Sequence, residues 1–233
     1  MANQTHLENI TSLSAAEWNT WRQENPHIVP DLRGADLSGL NLSHFNLKET
    51  NLIEVDLSQA TLIETNLSKA NLMKANLTRS YGRDANVSLA NLQDANFYGG
   101  YFTGSDFSRS CLLGANFQEA NCSESFFITA NLSYANLSRG IFRGASFMEA
   151  NLNDADLRET ALNQADLTLV KAYNTNFSKA TLTDAIIENW QINNETKFDF
   201  VVCSHVFLSY QQKISTENQL FLNTAKFLEF VVA

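Results

Sequence analysis

The chain has 233 residues, with 16 Lys and Arg against 25 Asp and Glu and a net charge of −9, which argues against nonspecific binding to nucleic acid or an anionic membrane, since both reward a basic surface. Three cysteines, an odd number, imply no closed disulfide framework, and no stretch approaches the ~20 apolar residues of a membrane helix. The start, MANQTHLENITSL, has neither the basic residues nor the apolar run of a secretory signal, so the expectation is a soluble, cytoplasmic protein.

Residues 1–30 make the first element. Ser14-Ala15-Ala16-Glu17 has the pattern of a capping box opening a short helix, with Trp18 and Trp21 three apart on one side. Pro26 stops the helix, and Pro30 precedes the next element. The two Trp suit an N-terminal cap packed on the repeats that begin at Leu32; a partner-binding helix is the alternative.

From Leu32 onward the residues repeat every five. Between 32 and 192 there are 33 positions whose numbers end in 2 or 7, and Leu or Phe fills 27 of them. The other six are Gly82, Val87, Cys122, Ala172, Ile187 and Ile192. Numbers ending in 0 or 5 are mostly small, as at Ala70 and Ala95, and numbers ending in 1 or 6 are mostly Asn or Asp, as at Asp36 and Asn71. The remaining positions are largely polar. A period of five fits neither a helix nor a strand. The chain must turn by a fixed amount every five residues and bring each Leu or Phe back to one interior axis. Asn and Asp suit such bends because their side chains bond nearby backbone, and repeated bends of this kind stack as a solenoid.

Segments such as Ala70-Asn71-Leu72-Met73-Lys74, Ala75-Asn76-Leu77-Thr78-Arg79 and Ala155-Asp156-Leu157-Arg158-Glu159 resemble the pentapeptide repeat family, whose signature is A(D/N)LXX. The resemblance covers residues 31–194. It implies an all-β solenoid, a right-handed quadrilateral β-helix in which four pentapeptides make one square coil. Roughly eight coils would give a rod on the order of 40 Å long at the ~4.8 Å strand spacing. The expected core includes Leu72, Leu92, Phe107, Phe127, Leu132, Phe147 and Leu152, with Phe107, Phe127 and Phe147 in one stacked column. Gly82 and Ala172 lack the core side chain; local distortion and a bend in the rod are the two readings, with Tyr81 or neighbouring Phe residues as fillers of the first gap.

Residues 195–233 close the chain as a C-terminal capping segment. The stretch from Trp190 through Thr196 and Cys203 to Val206-Phe207-Leu208 resembles the tail of a subset of bacterial members. A last helix is expected near Ser215 or Thr216, with Leu220, Phe221, Phe227, Leu228 and Val231 on one face. That face covers the last coil or, as the family also does, makes a homodimer contact.

No catalytic pattern stands out. His6, His27, His44 and His205 are scattered, Cys111 falls in the Asn/Asp phase, and Cys122 falls in the Leu phase. There is no phosphate-binding glycine loop and no strand–helix alternation. The expectation is a non-enzymatic protein with no cofactor and no metal, whose specificity lies on its outer sides. With positions 20 apart stacked, Ile128 and Met148 lie one above the other with Thr168 next, Phe126 sits at the corner of the same unit as Ile128, and Leu89 and Leu169 share that side. These five apolar residues form a candidate protein-interaction patch; ordinary exposed residues, or cover by the tail, are the alternatives. Ile53 and Met73 make a smaller stack on another side. The family also suggests DNA mimicry, as in quinolone-resistance members that bind DNA gyrase. Here the outward acids are spread over several sides and interrupted by Lys69, Lys74, Arg79, Arg109, Arg139 and Arg143. One acid per coil is much sparser than the charge every ~1.7 Å along duplex DNA. A protein-interaction scaffold is therefore the first expectation, and the gyrase-type mimic the second.

Overall fold

The computed structural model describes residues 1–209, 212–221 and 223–232. Two helices, α1 (Gln4–Ser12) and α2 (Ala15–Glu24), precede a long run of bends and bridges. The run ends in β1 (Ala185–Ile186), β2 (Val201–Ser209), β3 (Gln212–Phe221) and helix α3 (Thr224–Val232).

Within the run each residue ending in 1 or 6 pairs in parallel with the residue 20 further on, from Asp31↔Asn51 to Lys171↔Gln191. Twenty residues make four pentapeptides, so the coil has four sides. We number them by their ladders: the first side carries 31, 51, 71; the second 36, 56, 76; the third 41, 61, 81; the fourth 46, 66, 86. Stacked coils hold one another by backbone hydrogen bonds such as Leu52 N–H to Asn71 C=O (2.7 Å) and Asn71 N–H to Thr50 C=O (3.0 Å).

The five phases of the repeat each have a physical cause. Residues ending in 2 or 7 point inward: Leu72, Leu92, Phe107, Phe127, Leu132, Phe147 and Leu152 have no exposed surface. A turn follows each of them, closed by bonds such as Val55 N–H to Leu52 C=O (3.2 Å). Its third residue, ending in 4 or 9, takes positive φ, as at Glu54 (57°) and Lys74 (58°), the geometry of a type II turn. The ladder and turn consume four of the five N–H groups in a unit. The fifth, on the residue ending in 3 or 8, is accepted by the Asn or Asp two residues earlier: Asp36 Oδ1 takes the Ser38 N–H (3.0 Å) and Asn136 Oδ1 the Ser138 N–H (3.0 Å). This side-chain bond explains why Asn and Asp recur in that phase. Most interior hydroxyls in the small phase bond a nearby carbonyl, as where Ser125 Oγ donates to Phe102 C=O (2.6 Å); the Thr50 hydroxyl is an exception among the described residues.

Phe107, Phe127 and Phe147 form a column with ring centroids 4.9 Å apart and planes nearly parallel. The gap at Gly82 is filled by Phe102 from the next coil, whose ring occupies the place of a Gly82 side chain. Tyr81 points outward and is exposed. Gly100 makes room for the same ring: a Cβ there would lie 2.9 Å from Phe102. Gly140 bears the same relation to Phe142. In this interior a large ring is accommodated by removing side chains beside it.

At the N-terminal end α2 opens on the reciprocal capping box of Ser14 and Glu17. It lies against the first coil, and its side chains replace a neighbouring strand. Asn19 Oδ1 accepts the Asn46 N–H (2.7 Å) and Asn19 Nδ2 donates to His44 C=O (2.9 Å). Trp18 Nε1 donates to Asn46 C=O (2.8 Å), and the Trp18 ring is fully buried. Helix α1 is not expected from the sequence pattern; its His6 Nδ1 accepts the Asp31 N–H (3.0 Å). Asn19→Ala strips two backbone groups of their partners, so we expect a loss of about 1–3 kcal/mol in urea denaturation.

At the other end the ladder runs past residue 194. Its register lengthens by one residue, to Asn176↔Lys197 and Thr181↔Val202. Phe198 then stacks on Phe177 (5.2 Å) and Cys203 is fully buried. β2 pairs in parallel with β1 at Ile186↔Phe207 and antiparallel with β3. Residues 212–221 are therefore strand, not the start of the last helix; pairing with β2 overrides their helix-like spacing. The helix begins at Thr224 instead. Phe221 and Phe227 are buried with their rings in edge contact at 5.2 Å, and Leu228 is partly buried. The side chains of Leu220 and Val231 lie outside the described residues.

Candidate functional site

The fourth side departs from the repeat where it carries Phe126. Its ladder reads Asn46, Asn66, Asn86, Asp106, Phe126, Ser146, Asp166 and Ile186. Phe126 lies on this ladder and not at a corner, because its backbone bridges to Asp106 and Ser146, and it stands 46% exposed. In place of Asn or Asp it offers no acceptor, and among the described residues nothing takes the Ile128 N–H. Ile128 and Met148 beside it are half-buried. Thr168 continues the line, nine-tenths buried, with its hydroxyl unpartnered among the described residues. Leu89 and Leu169 sit at the corner leaving this side, 47% and 39% exposed, with φ of 61° and 58°. A left-handed corner favours Gly or Asn, and an exposed Leu there gains no burial. A shallow depression between Leu89 and Ile128 is also lined by Ser88, Asp106, Ser108 and Arg109. The C-terminal strands pair with the end of the ladder at residues 181–186, and Phe126 remains open.

The third side holds a feature that the repeat pattern alone does not single out. Tyr81 and Tyr101 occupy ladder positions there, with rings stacked at 5.2 Å and both exposed, and Ile141 follows two coils on. The available signal is two Tyr in the Asn/Asp phase, 20 apart. Ile53 and Met73 are half-buried on the first side, above whose ladder Asn91 Nδ2 donates to Asn71 Oδ1 (3.1 Å).

The outward charges of the second corner neutralise one another. Arg139 lies between Glu119 (3.9 Å) and Glu159 (3.2 Å), and Lys179 reaches Glu159 (3.3 Å). The Lys179 and Arg139 contacts hold the Glu159 carboxyl below its ordinary range. Tyr98 donates its hydroxyl to Glu119 (2.8 Å).

None of the three cysteines is in a disulfide. Burial raises the thiol pKa of Cys122, and that of Cys203 is pushed up to about 12, chiefly by burial; such thiols are poor nucleophiles. His205 contacts Asp184 where β2 meets the last coil. Among the described residues no group of three or more His, Cys, Asp or Glu is placed to hold a metal, and no helix is long and apolar enough to cross a membrane.

A four-sided coil stacked on itself every 20 residues, with its interior filled by Leu and Phe, defines a β-helical repeat protein. The chain belongs to the pentapeptide repeat family: the family model for pentapeptide repeats matches eight copies, over residues 31–68, 41–79, 70–109, 110–147 and 150–189. Membership brings with it the right-handed sense of the β-helix. No curated protein matches in sequence. Among solved structures the chain is similar to HetL, a pentapeptide repeat protein involved in heterocyst differentiation regulation from the cyanobacterium Nostoc sp. strain PCC 7120. That match has 22% identity and a TM-score of 0.32, covering 74% of this chain and 88% of HetL. Full-length QnrB1, a plasmid-mediated fluoroquinolone resistance protein, matches at 17% identity and a TM-score of 0.44, over 73% of this chain and 92% of QnrB1. A pentapeptide repeat protein of the Arabidopsis thaliana thylakoid lumen matches at 25% identity and a TM-score of 0.34, over 43% of this chain and 66% of its own.

Proposed function

We propose that the protein is a non-enzymatic scaffold of the cytoplasm that binds another protein along the fourth side of its β-helix. Phe126, Ile128 and Met148 form the apolar centre of the contact, and Leu89 and Leu169 its rim. The observation that carries this reading is Phe126: an exposed ring on a ladder position where Asn or Asp would have satisfied the Ile128 N–H. A rod of roughly eight coils, closed by residues 1–30 at one end and by the strands and helix that follow the last ladder pairs at the other, is a rigid platform that loses little ordering entropy on binding. Aromatic and Met side chains are enriched at the cores of such contacts. Nucleic acid and membrane are not its partners.

A DNA-mimicking protein directed at gyrase is the alternative. It is disfavoured by the alternation of Glu119, Arg139, Glu159 and Lys179, which cancels charge along a corner that a mimic would keep negative. The test is the double substitution Phe126→Ser with Ile128→Ser. The variant is expected to keep its fold and oligomeric state and to lose capture of the native partner. If it unfolds, or splits a homodimer, the patch is structural and the proposal fails.

A further inference from the structure

We infer that the element docking on the fourth side is a basic amphipathic α-helix of the partner, laid along the axis of the rod; the inference rests on the reading of that side as the docking surface.

Charge is the first observation. Between residues 104 and 189 the fourth side and its two corners carry six carboxylates, on Asp106, Glu124, Glu149, Asp166, Asp184 and Glu188, against the single guanidinium of Arg109. Asp184 is engaged by His205. Among the described residues no ion pair involves Glu124, Glu149 or Glu188, so their charges stand toward solvent around the apolar centre. Arg143, round the corner on the third side, reaches toward Gln164 instead (3.5 Å). A partner with Lys or Arg flanking an apolar stripe complements this arrangement, and an acidic partner is repelled.

Backbone chemistry is the second. On this side the ladder groups of the main chain are already used, which leaves isolated N–H groups such as that of Ile128 but no free edge: Phe126 N–H bonds Ser105 C=O (2.9 Å), and Phe126 C=O accepts the Phe107 N–H (2.7 Å). An added β-strand would find no ladder to extend, and its own backbone groups would go unpaired. A helix satisfies its backbone internally and binds by side chains alone.

Spacing is the third. Neighbouring coils place stacked rings 4.9 Å apart, close to the ~5.4 Å pitch of a helix. Residues one turn apart on a helix parallel to the rod can therefore meet successive coils. From Leu89 to Leu169 is four coils, about 20 Å, the length of a helix of about 13 residues.

The test uses a pair of synthetic helices of about 14 residues, with Leu at i, i+4, i+7 and i+11 and either Lys or Glu at the flanking positions. Binding of each to the full chain is read by fluorescence anisotropy. The Lys peptide is expected to bind at least about tenfold more tightly than its Glu twin, with the advantage shrinking at high salt. Phe126→Ser with Ile128→Ser should abolish binding, and Glu149→Lys with Glu188→Lys, which leaves the apolar centre intact, should weaken the Lys peptide and strengthen the Glu one. Equal binding of the twins, or indifference to both variants, overturns the inference. If native-partner capture still depends on Phe126 and Ile128 in that case, the docking side stands and only the basic helix is lost.

Discussion

Phe127→Ala is expected to destabilise the protein by ~3–5 kcal/mol, the range for truncating a fully buried Phe. Phe127 has no exposed surface, and its ring is stacked between Phe107 and Phe147 at 4.9 Å on either side. The rings of Phe117 and Phe142 meet its edge at 5.8 and 5.9 Å. Removing it breaks two stacked pairs and leaves a hole in a column whose walls are backbone ladders, which cannot collapse without breaking hydrogen bonds. Each stacked pair contributes ~0.5–1.5 kcal/mol beyond area burial. Phe127→Leu should cost distinctly less. Urea melts followed by circular dichroism measure both, and a loss below about 1 kcal/mol for Ala would mean that the column is not the packed core described.

Gly82→Leu should also destabilise, although it restores the residue that the repeat prefers. The side chain has no room: Phe102 already fills the position from the coil above. Overpacking of this kind costs ~1–3 kcal/mol and occasionally more. The upper end is expected here because a whole side chain is added. Combining Gly82→Leu with Phe102→Leu should recover most of the loss, since two Leu in successive coils is the arrangement found at Leu52 and Leu72. The two residues share one space, so their effects cannot add. A single variant as stable as the parent, or a double variant worse than the sum, would contradict this filling of the gap.

The repeat is legible because every phase has one cause that composition expresses directly. Leu and Phe mark the interior, and Asn and Asp mark the position whose side chain takes the one N–H that the ladder leaves. What lies hidden is of two kinds. Past residue 192 one added residue shifts the ladder, so Phe198 and Cys203 continue the interior in a phase that a fixed five-residue count no longer tracks. Residues 212–221 look helical by spacing, and only their pairing with β2 makes them a strand. The filling of Gly82 by Phe102 depends on a contact 20 residues away, and the sequence offers only a set of candidates for it. The apolar residues of the fourth side are legible from phase alone. The Tyr81–Tyr101 stack carries the same signal, but the empty core position at Gly82 makes its neighbour Tyr81 look like an interior filler and hides the outward pair.

The central claim is that partners meet the fourth side. Hydroxyl-radical footprinting of the protein isolated with its native partner tests it most directly, because it reads side chains where the backbone is protected in every state. Oxidation of Phe126, Ile128, Met148 and Leu169 should fall strongly in the complex compared with the protein alone, while Tyr98 on the second side and Tyr134 at the corner leaving the first side should be modified equally in both. Unchanged oxidation of Phe126 and Met148, with protection at Tyr98 or Tyr134 instead, would contradict it.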